Sequence, residues 1–399
     1  MIGAVPTSLP DPSADRPIPD HADRRRRVRE LFAARNLDAL VLTDLVNVRY
    51  LTGFTGSNAV LVLAADPAGD VFLTDPRYVV QSARQVPDLE RVVEPALYPA
   101  LGRLLTGLGA HAVGVETHVL TVDQHESLRS LIGDSAVRLV PADRPVESVR
   151  VVKDDPESAD LRRACAISVA ALTDLLGGVR GPLAGRSERS VAADLDDLLL
   201  AHGADGLSFD TIVAAGANSA SPHHEPSEAL LASGDLVVID FGALCNGYHA
   251  DMTRTVLVGG APGGAADWQR EIHGLTERAN AAGRAAAVPG ATVAAVDAAA
   301  RELIAAGGHG AHFTHGLGHG VGLVIHEDPF LGPGRPGTLA HGTAVTIEPG
   351  VYLIGRGGVR IEDTVLVGRP PEPGSGGVRE GGNGPEVLTG FSRELIEVD

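Results

Sequence analysis

Apolar runs and their interruptions divide the chain into a leading part that alternates strands with helices and a longer part built from helix pairs and hairpins. Asp38 to Thr43, Ala59 to Leu63, Asp70 to Thr74 and Ala110 to Glu116 are short apolar runs bounded by turn residues, which predicts strands, with helical spacing between them. A first helix is expected near Arg24 to Arg35, with the run Arg24 to Arg27 on its exposed face. This predicts an α/β domain over 23–152, preceded by a disordered tail, 1–22, that carries Pro6, Pro10, Pro12, Pro17 and Pro19. Asp154-Asp155-Pro156-Glu157 then breaks the pattern and suits a helix start. Ser158 to Leu176 and Ser187 to His202 read as helices, Phe209 to Ala214 as a strand, and Ala265 to Ala287 and Val293 to Ala306 as two further helices. Arg369 to Pro385, rich in Pro, Gly and Ser, predicts a flexible insertion before a last strand, Leu388 to Val398.

Two hairpins stand out in the second part, 156–399. Asn246-Gly247 between apolar runs is a strong short-range hairpin signal, because a two-residue type I′ turn needs positive φ at both positions. Pairing Cys245 with Tyr248 and counting outward sets Asp240 opposite Thr253 and Gly242 opposite Asp251, so Asp240 and Asp251 become diagonal neighbours on one face, with backbones roughly 7–8 Å apart. Like charges held that close repel unless one takes a proton or a cation sits between them, and a metal is the natural occupant. A hundred residues later Glu348 closes the run Ala344 to Ile347, Glu362 follows Gly358 to Ile361, and Gly355, Gly357 and Gly358 supply a turn. Between the hairpins lies Thr314-His315-Gly316-Leu317-Gly318-His319-Gly320-Val321-Gly322, then Ile325-His326-Glu327, which predicts a loop or strand end. Four carboxylates and an imidazole without thiolate favour Mn²⁺, Co²⁺, Fe²⁺ or Zn²⁺, and that many carboxylates suits two ions better than one.

Taken singly, each feature has a plainer explanation: an aspartate beside a turn is commonly a solvated or turn-bonding residue, and a lone histidine is more often an ordinary polar side chain. An acid closing an apolar strand four times over, joined by a glycine-rich histidine segment, is a more specific pattern. His223-His224, after Ser221-Pro222, is a weaker signal.

Composition narrows the function classes. The formal charge is −18, with 51 acidic against 33 basic residues, so nucleic acid and anionic membranes would be repelled. Lys153 is the one lysine; every other basic residue is arginine. Cys165 and Cys245 make neither a disulfide framework nor a Cys-x-x-Cys zinc pair. No run approaches the ~18 apolar residues of a membrane span, and the leading segment has no apolar stretch of secretory length, so a cytoplasmic protein is expected.

The motifs together resemble a known family. Ile239-Asp240-Phe241-Gly242, Asp251-Met252-Thr253-Arg254-Thr255, the His315 to Gly322 segment, Ile347-Glu348-Pro349-Gly350 and Arg360-Ile361-Glu362-Asp363 are similar to the pita-bread metallopeptidases of the Xaa-Pro branch, aminopeptidase P and prolidase. Asn47 to Asn58 and Leu73 to Tyr78 resemble the creatinase-type N-terminal domain. The resemblance implies an α/β creatinase-type N-terminal domain followed by an α+β pita-bread catalytic domain, whose weak internal duplication the helix–helix–hairpin order matches. It implies two divalent ions, Mn²⁺ with Co²⁺ or Zn²⁺ as alternatives, held by Asp240, Asp251, His319, Glu348 and Glu362, with Asp251 and Glu362 bridging.

The same likeness implies roles for neighbouring residues. Glu348 would shuttle the water proton, His223 and His326 would hydrogen-bond the substrate and the developing oxyanion, and His315 would help line the proline-side pocket. Arg360, the one basic residue expected near the metals, would support Asp240 or Asp251 in preference to meeting a substrate carboxylate. The implied activity is hydrolysis of the bond between an N-terminal residue and proline. Longer peptides are favoured over strict dipeptides because no other cation is apparent to clamp a free carboxylate. The remaining alternatives are a prolidase confined to dipeptides and an inactive peptide-binding module. Peptides with proline second are the expected partners, and a homo-oligomer is the expected assembly.

Overall fold

The computed structural model describes residues 17–259, 264–368, 378–379 and 384–399. The chain divides into two compact units, one formed by Pro19–Arg150 and the other by Val151–Asp399.

The first unit is built on a six-stranded sheet in the order Glu90–Val93, Val71–Thr74, Ala59–Ala64, Ala39–Leu42, Ala112–Val115, Arg138–Pro141. The four central strands are those the apolar runs predict, and they are buried throughout. The two edge strands escape the hydrophobic pattern because they are only partly buried. The first helix spans His21–Ala33, capped by the Asp20 carboxylate, so it begins inside the expected tail; that tail up to residue 16 lies outside the described residues. The expectation that Arg24 to Arg27 lie on an exposed face is wrong for half the run. Arg24 and Arg25 are buried and donate to Tyr50 O and Leu51 O, carbonyls near the end of the Leu45–Thr52 helix.

In the second unit the Asp155–Leu176 helix starts at the expected break, where Asp154 and Glu157 form a reciprocal capping box. It packs with the Glu188–Ala201 helix on a four-stranded sheet ordered Glu397–Val398, Met252–Val258, Leu236–Phe241, Ile212–Ala215, around Leu172, Leu195, Val237 and Ile239. The Asp267–Ala286 and Val293–Ala306 helices pack over the second hairpin, around Ile272, Val296, Val345 and Ile361. The two repeats of helix, helix, hairpin therefore have separate cores. Among the described residues no helix is long and apolar enough to cross a membrane.

Leu388 to Val398 is not one strand. Glu386–Val387 joins the second sheet and Glu397–Val398 pairs with the Met252–Val258 strand of the first, so the segment crosses between sheets. Within the expected insertion, Val378–Arg379 pairs with Glu386–Val387; residues 369–377 and 380–383 lie outside the described residues.

Candidate active site

Hairpin register brings the acids together. Asn246 and Gly247 both have positive φ (49° and 79°), Cys245 pairs with Tyr248, and Asp240 pairs with Thr253, as the turn predicts. In the second hairpin Ile347 pairs with Asp363 and Gly350 with Arg360; the register continues without a slip, which sets Glu348 across from Glu362. The hairpins lie side by side. Glu362 N donates to Thr253 O (3.0 Å), Thr255 Oγ1 donates to Arg360 O (2.8 Å) and accepts from Arg360 N (3.1 Å). The end of each strand core thus faces the same point.

The glycine-rich segment closes the cluster from above as the short strand Gly318–Gly320. A Cβ at Gly318 would stand 2.0 Å from Thr346 O, so only glycine lets this backbone approach the Ala344–Ile347 strand closely enough to present His319. His319 Nε2 lies 3.3 Å from Glu348 Oε1 and 3.5 Å from Asp251 Oδ2, while its Nδ1 is hydrogen-bonded to Gly320 O (3.0 Å). That bond fixes the tautomer and leaves Nε2 with its lone pair toward the acids. Asp251, His319 and Glu362 offer ligand atoms within 4.8 Å of one another.

The electrostatics are those of a site built for cations. Burial, then the charges of Glu362, Asp240 and Glu348, hold the Asp251 carboxyl well above its ordinary range. Burial, with Glu348 and Asp240 adding, does the same to Glu362. Burial pushes Glu348 up to about 8, with Arg360 opposing and Asp240 adding. Burial brings His319 and His315 down to about 4, so both rings are neutral donors of a lone pair at pH 7. Asp240 Oδ1 is buried with no hydrogen-bond partner among the described residues. An orphaned buried carboxylate oxygen and three mutually repelling acids fit divalent cations, whose charge would reverse the repulsion.

Arg360 is the guanidinium in the cluster. It reaches Asp240 Oδ2 (2.6 Å), Thr253 Oγ1 (3.0 Å), Tyr352 OH (3.1 Å) and Pro222 O (3.1 Å). Thr253 Oγ1 in turn donates to Glu362 Oε2 (2.7 Å), and Tyr352 OH lies 2.9 Å from His315 Nε2. Sequence reading missed Thr253 and Tyr352; Thr253 stands opposite Asp240 in the register, which is the signal that could have found it.

A cleft of about 690 Å³ opens over this cluster. His223, His315 and His326 all line it with Asp240, Asp251, His319, Glu348, Arg360 and Glu362, so every candidate residue meets one cavity. The His326 ring packs edge-on against His319, with centroids 4.3 Å apart. His224 faces elsewhere, with Nε2 2.8 Å from Glu188 Oε2. Arg301 and Arg335 also line the cleft, which corrects the expectation that Arg360 is the one cation near the acids. Both are more than twelve residues from the nearest hairpin carboxylate, so spacing along the chain did not point to them.

Comparison with known proteins finds relatives for both parts of the chain. Residues 24–152 match the creatinase/prolidase N-terminal domain, and residues 159–369 match metallopeptidase family M24. The uncharacterized peptidase YqhT of Bacillus subtilis is 37% identical over 371 residues, 93% of this chain and 98% of that protein. An Xaa-Pro dipeptidase from Bacillus anthracis superposes with a TM-score of 0.86 at 34% identity, over 95% of this chain and all (100%) of that one. An X-Pro aminopeptidase from Thermotoga maritima superposes at 0.80 with 30% identity, over 92% and 100%.

Proposed function

Because the chain belongs to metallopeptidase family M24 and carries the creatinase/prolidase N-terminal domain, we propose that it hydrolyses the peptide bond between an N-terminal residue and proline, with the dipeptide as its preferred substrate. The observation that carries the reading is the convergence of Asp240, Asp251, His319, Glu348 and Glu362 beneath a cleft that His223, His315 and His326 also line.

The five residues would hold two divalent ions, Mn²⁺ in first place and Co²⁺ or Zn²⁺ as alternatives. Such ions supply an activated water and a polarised scissile carbonyl. Glu348, whose Oε1 accepts from Thr346 Oγ1 at 3.1 Å, would take the proton of the attacking water and pass it toward the leaving proline nitrogen. His326 and His223, both exposed to the cleft, would donate to the substrate carbonyl as negative charge develops there. His315, tied to Tyr352, would hold the Tyr352–Arg360 pair in place and form part of the proline-side wall. Arg360 would orient Asp240 and not the substrate, since its donors already have protein partners.

The expectation of longer peptides depends on there being no further cation in the cleft, and Arg301 and Arg335 both line it. The similarity to an Xaa-Pro dipeptidase from Bacillus anthracis favours the dipeptide. The likeness to a Thermotoga maritima X-Pro aminopeptidase keeps Xaa-Pro-Yaa-Yaa peptides as the second reading. Steady-state kinetics on Xaa-Pro, Xaa-Pro-Yaa-Yaa and Xaa-Ala, each with Mn²⁺, Co²⁺ and Zn²⁺, test it. Cleavage of Xaa-Ala as fast as Xaa-Pro would overturn the proline requirement, and a higher kcat/KM on the tetrapeptide would overturn the dipeptide preference.

A further inference from the structure

We propose that the first unit binds a divalent metal ion of its own, at a site formed by Asp44, His118 and Glu147. The three side chains each offer one ligand atom, all within 4.8 Å of one another. An ion with ligands at about 2.0–2.2 Å holds its donors roughly 3–4 Å apart, so a small inward turn of the side chains encloses one. The site lies within the Pro19–Arg150 unit and shares no residue with the cleft.

The sheet explains why these residues meet. Ala39–Leu42 and Ala112–Val115 are parallel neighbours, so the chain leaves both at the same edge of the sheet. From the first it passes through the Leu45–Thr52 helix to Ala59–Ala64, the neighbour on one side. From the second it passes through the Val122–Ile132 helix to Arg138–Pro141, the neighbour on the other. Connections that part in this way open a crevice beyond the carboxyl ends of the strands, where open α/β sheets bind ligands. Asp44 follows one of these strand ends and His118 the other, and Glu147 reaches them from the Pro145–Arg150 helix.

The hydrogen bonds leave lone pairs for an ion. Glu147 Oε1 accepts from Asn47 Nδ2 (2.8 Å) and lies 2.7 Å from His118 Nε2, while Glu147 Oε2 is buried with no partner among the described residues. A buried oxygen without a donor is destabilising, and the His118–Glu147 contact does not relieve it. A cation does. Asp44 Oδ1 accepts from Val46 N (2.9 Å), which caps the helix, fixes the carboxylate and leaves Oδ2 available. Asn47 is itself held between Glu116 Oε1 (2.7 Å) and Arg150 Nη1 (2.9 Å), so Glu147 is oriented before any ion arrives. His118 would give its Nε2 lone pair to the ion and carry its proton on Nδ1, which water can accept because the residue is exposed. Two carboxylates and an imidazole without thiolate select Mn²⁺, Co²⁺ or Zn²⁺. Three ligands at the surface hold an ion less tightly than the five of the cleft, so this one leaves on desalting. When bound, it ties the start of the Leu45–Thr52 helix to the Pro145–Arg150 helix.

The test adds MnCl₂ to the full-length protein after its cleft has been loaded and the excess removed, at physiological ionic strength to screen diffuse binding by surface acids. Free Mn²⁺ is read by electron paramagnetic resonance. The wild type is expected to take up one further ion per chain, and its melting temperature to rise with Mn²⁺ concentration, because the ion binds the folded unit. Asp44→Asn and Glu147→Gln keep side-chain shape, and His118→Ala alters an exposed residue. Each should weaken the further ion about tenfold or more and flatten the rise in melting temperature, with the metal content of the cleft unchanged. His319→Ala, which removes a ligand of the cleft, should still take up this ion, so the result does not depend on the proposed activity. A wild type that takes up no further ion overturns the site. So does a further ion that fewer than two of the three substitutions weaken.

Discussion

Arg360 Nη2 stands 2.6 Å from Asp240 Oδ2, at the point where the two hairpins meet. The contact joins the last residue of one strand core to the penultimate residue of another, and leaves Asp240 Oδ1 as the oxygen directed away from the guanidinium.

The first prediction follows from that division of labour. Arg360→Lys keeps the charge but cannot span Asp240, Tyr352, Thr253 and Pro222 O, because an ammonium lacks the planar fork. We expect metal affinity to fall by about 10–100-fold, the usual effect of losing a partner that orients a metal ligand, and kcat to fall with it. Metal titration and steady-state kinetics measure both; wild-type values for the lysine variant would remove Arg360 from the support of the centre.

A second prediction concerns stoichiometry. Four acids and one imidazole around one point would hold two ions, and elemental analysis after reconstitution and desalting is expected to approach two per chain. Full activity at a loading that never exceeds one ion would overturn the paired-ion arrangement.

Glu188 carries the third. Its buried carboxylate accepts from Ala215 N (2.8 Å), Asn218 Nδ2 (2.9 Å), Ser227 N (3.0 Å) and Ser227 Oγ (2.6 Å), and meets His224 Nε2 at 2.8 Å. Burial alone would raise its pKa, but these bonds outweigh burial and bring it from 4.5 to about 2. A depressed acid contributes stability that is present above its unfolded pKa and is lost as pH falls through the folded one. The contribution, up to ~3 kcal/mol, should therefore disappear between pH 4.5 and about 2. Glu188→Gln should lower the melting temperature at pH 7, and the gap from wild type should narrow across that window. A gap independent of pH would mean that the carboxylate's charge is not what holds the His223–His224 segment.

Lys153 supplies the fourth. The one lysine in the chain is fully buried and places Nζ 2.7 Å from Glu327 Oε1, next to His326. Removing the cation from a partly buried carboxylate is expected to cost up to about 3 kcal/mol in Lys153→Met, and Glu327→Gln added to it should recover much of the loss. Chemical denaturation of the two single variants and the double variant gives the coupling; additive losses would show that the pair does not act as a unit.

What could be read from the sequence was what local signals determine. Asn246-Gly247 sets its own turn, and the turn sets the register that makes Asp240 and Asp251 diagonal, so this part of the site was legible before any fold. The burial of Arg24 and Arg25 was not, because their partners Tyr50 O and Leu51 O belong to another helix and charge alone suggests water. Glu90–Val93 and Arg138–Pro141 were missed because an edge strand needs only one neighbour and carries little apolar pattern. Tyr352 and Arg335 reach the cleft through tertiary packing, which no local signal along the chain announces.

The last prediction separates two histidines whose rings touch. His319 is buried, its Nδ1 is bonded to Gly320 O, and its Nε2 faces Glu348 and Asp251, so it has the fixed tautomer and acidic neighbours of a ligand. His326 packs edge-on against that ring but is exposed to the cleft, where a substrate would lie. His319→Ala is therefore expected to lose metal along with activity. His326→Ala should keep its metal and lose about 10²–10³ in kcat, the size of one missing donor to a developing oxyanion. Because the rings are in contact, His319→Ala could also disturb His326, so the informative comparison is metal content in His326→Ala. Metal loss there equal to that in His319→Ala would make His326 part of the ion site and leave the oxyanion to His223.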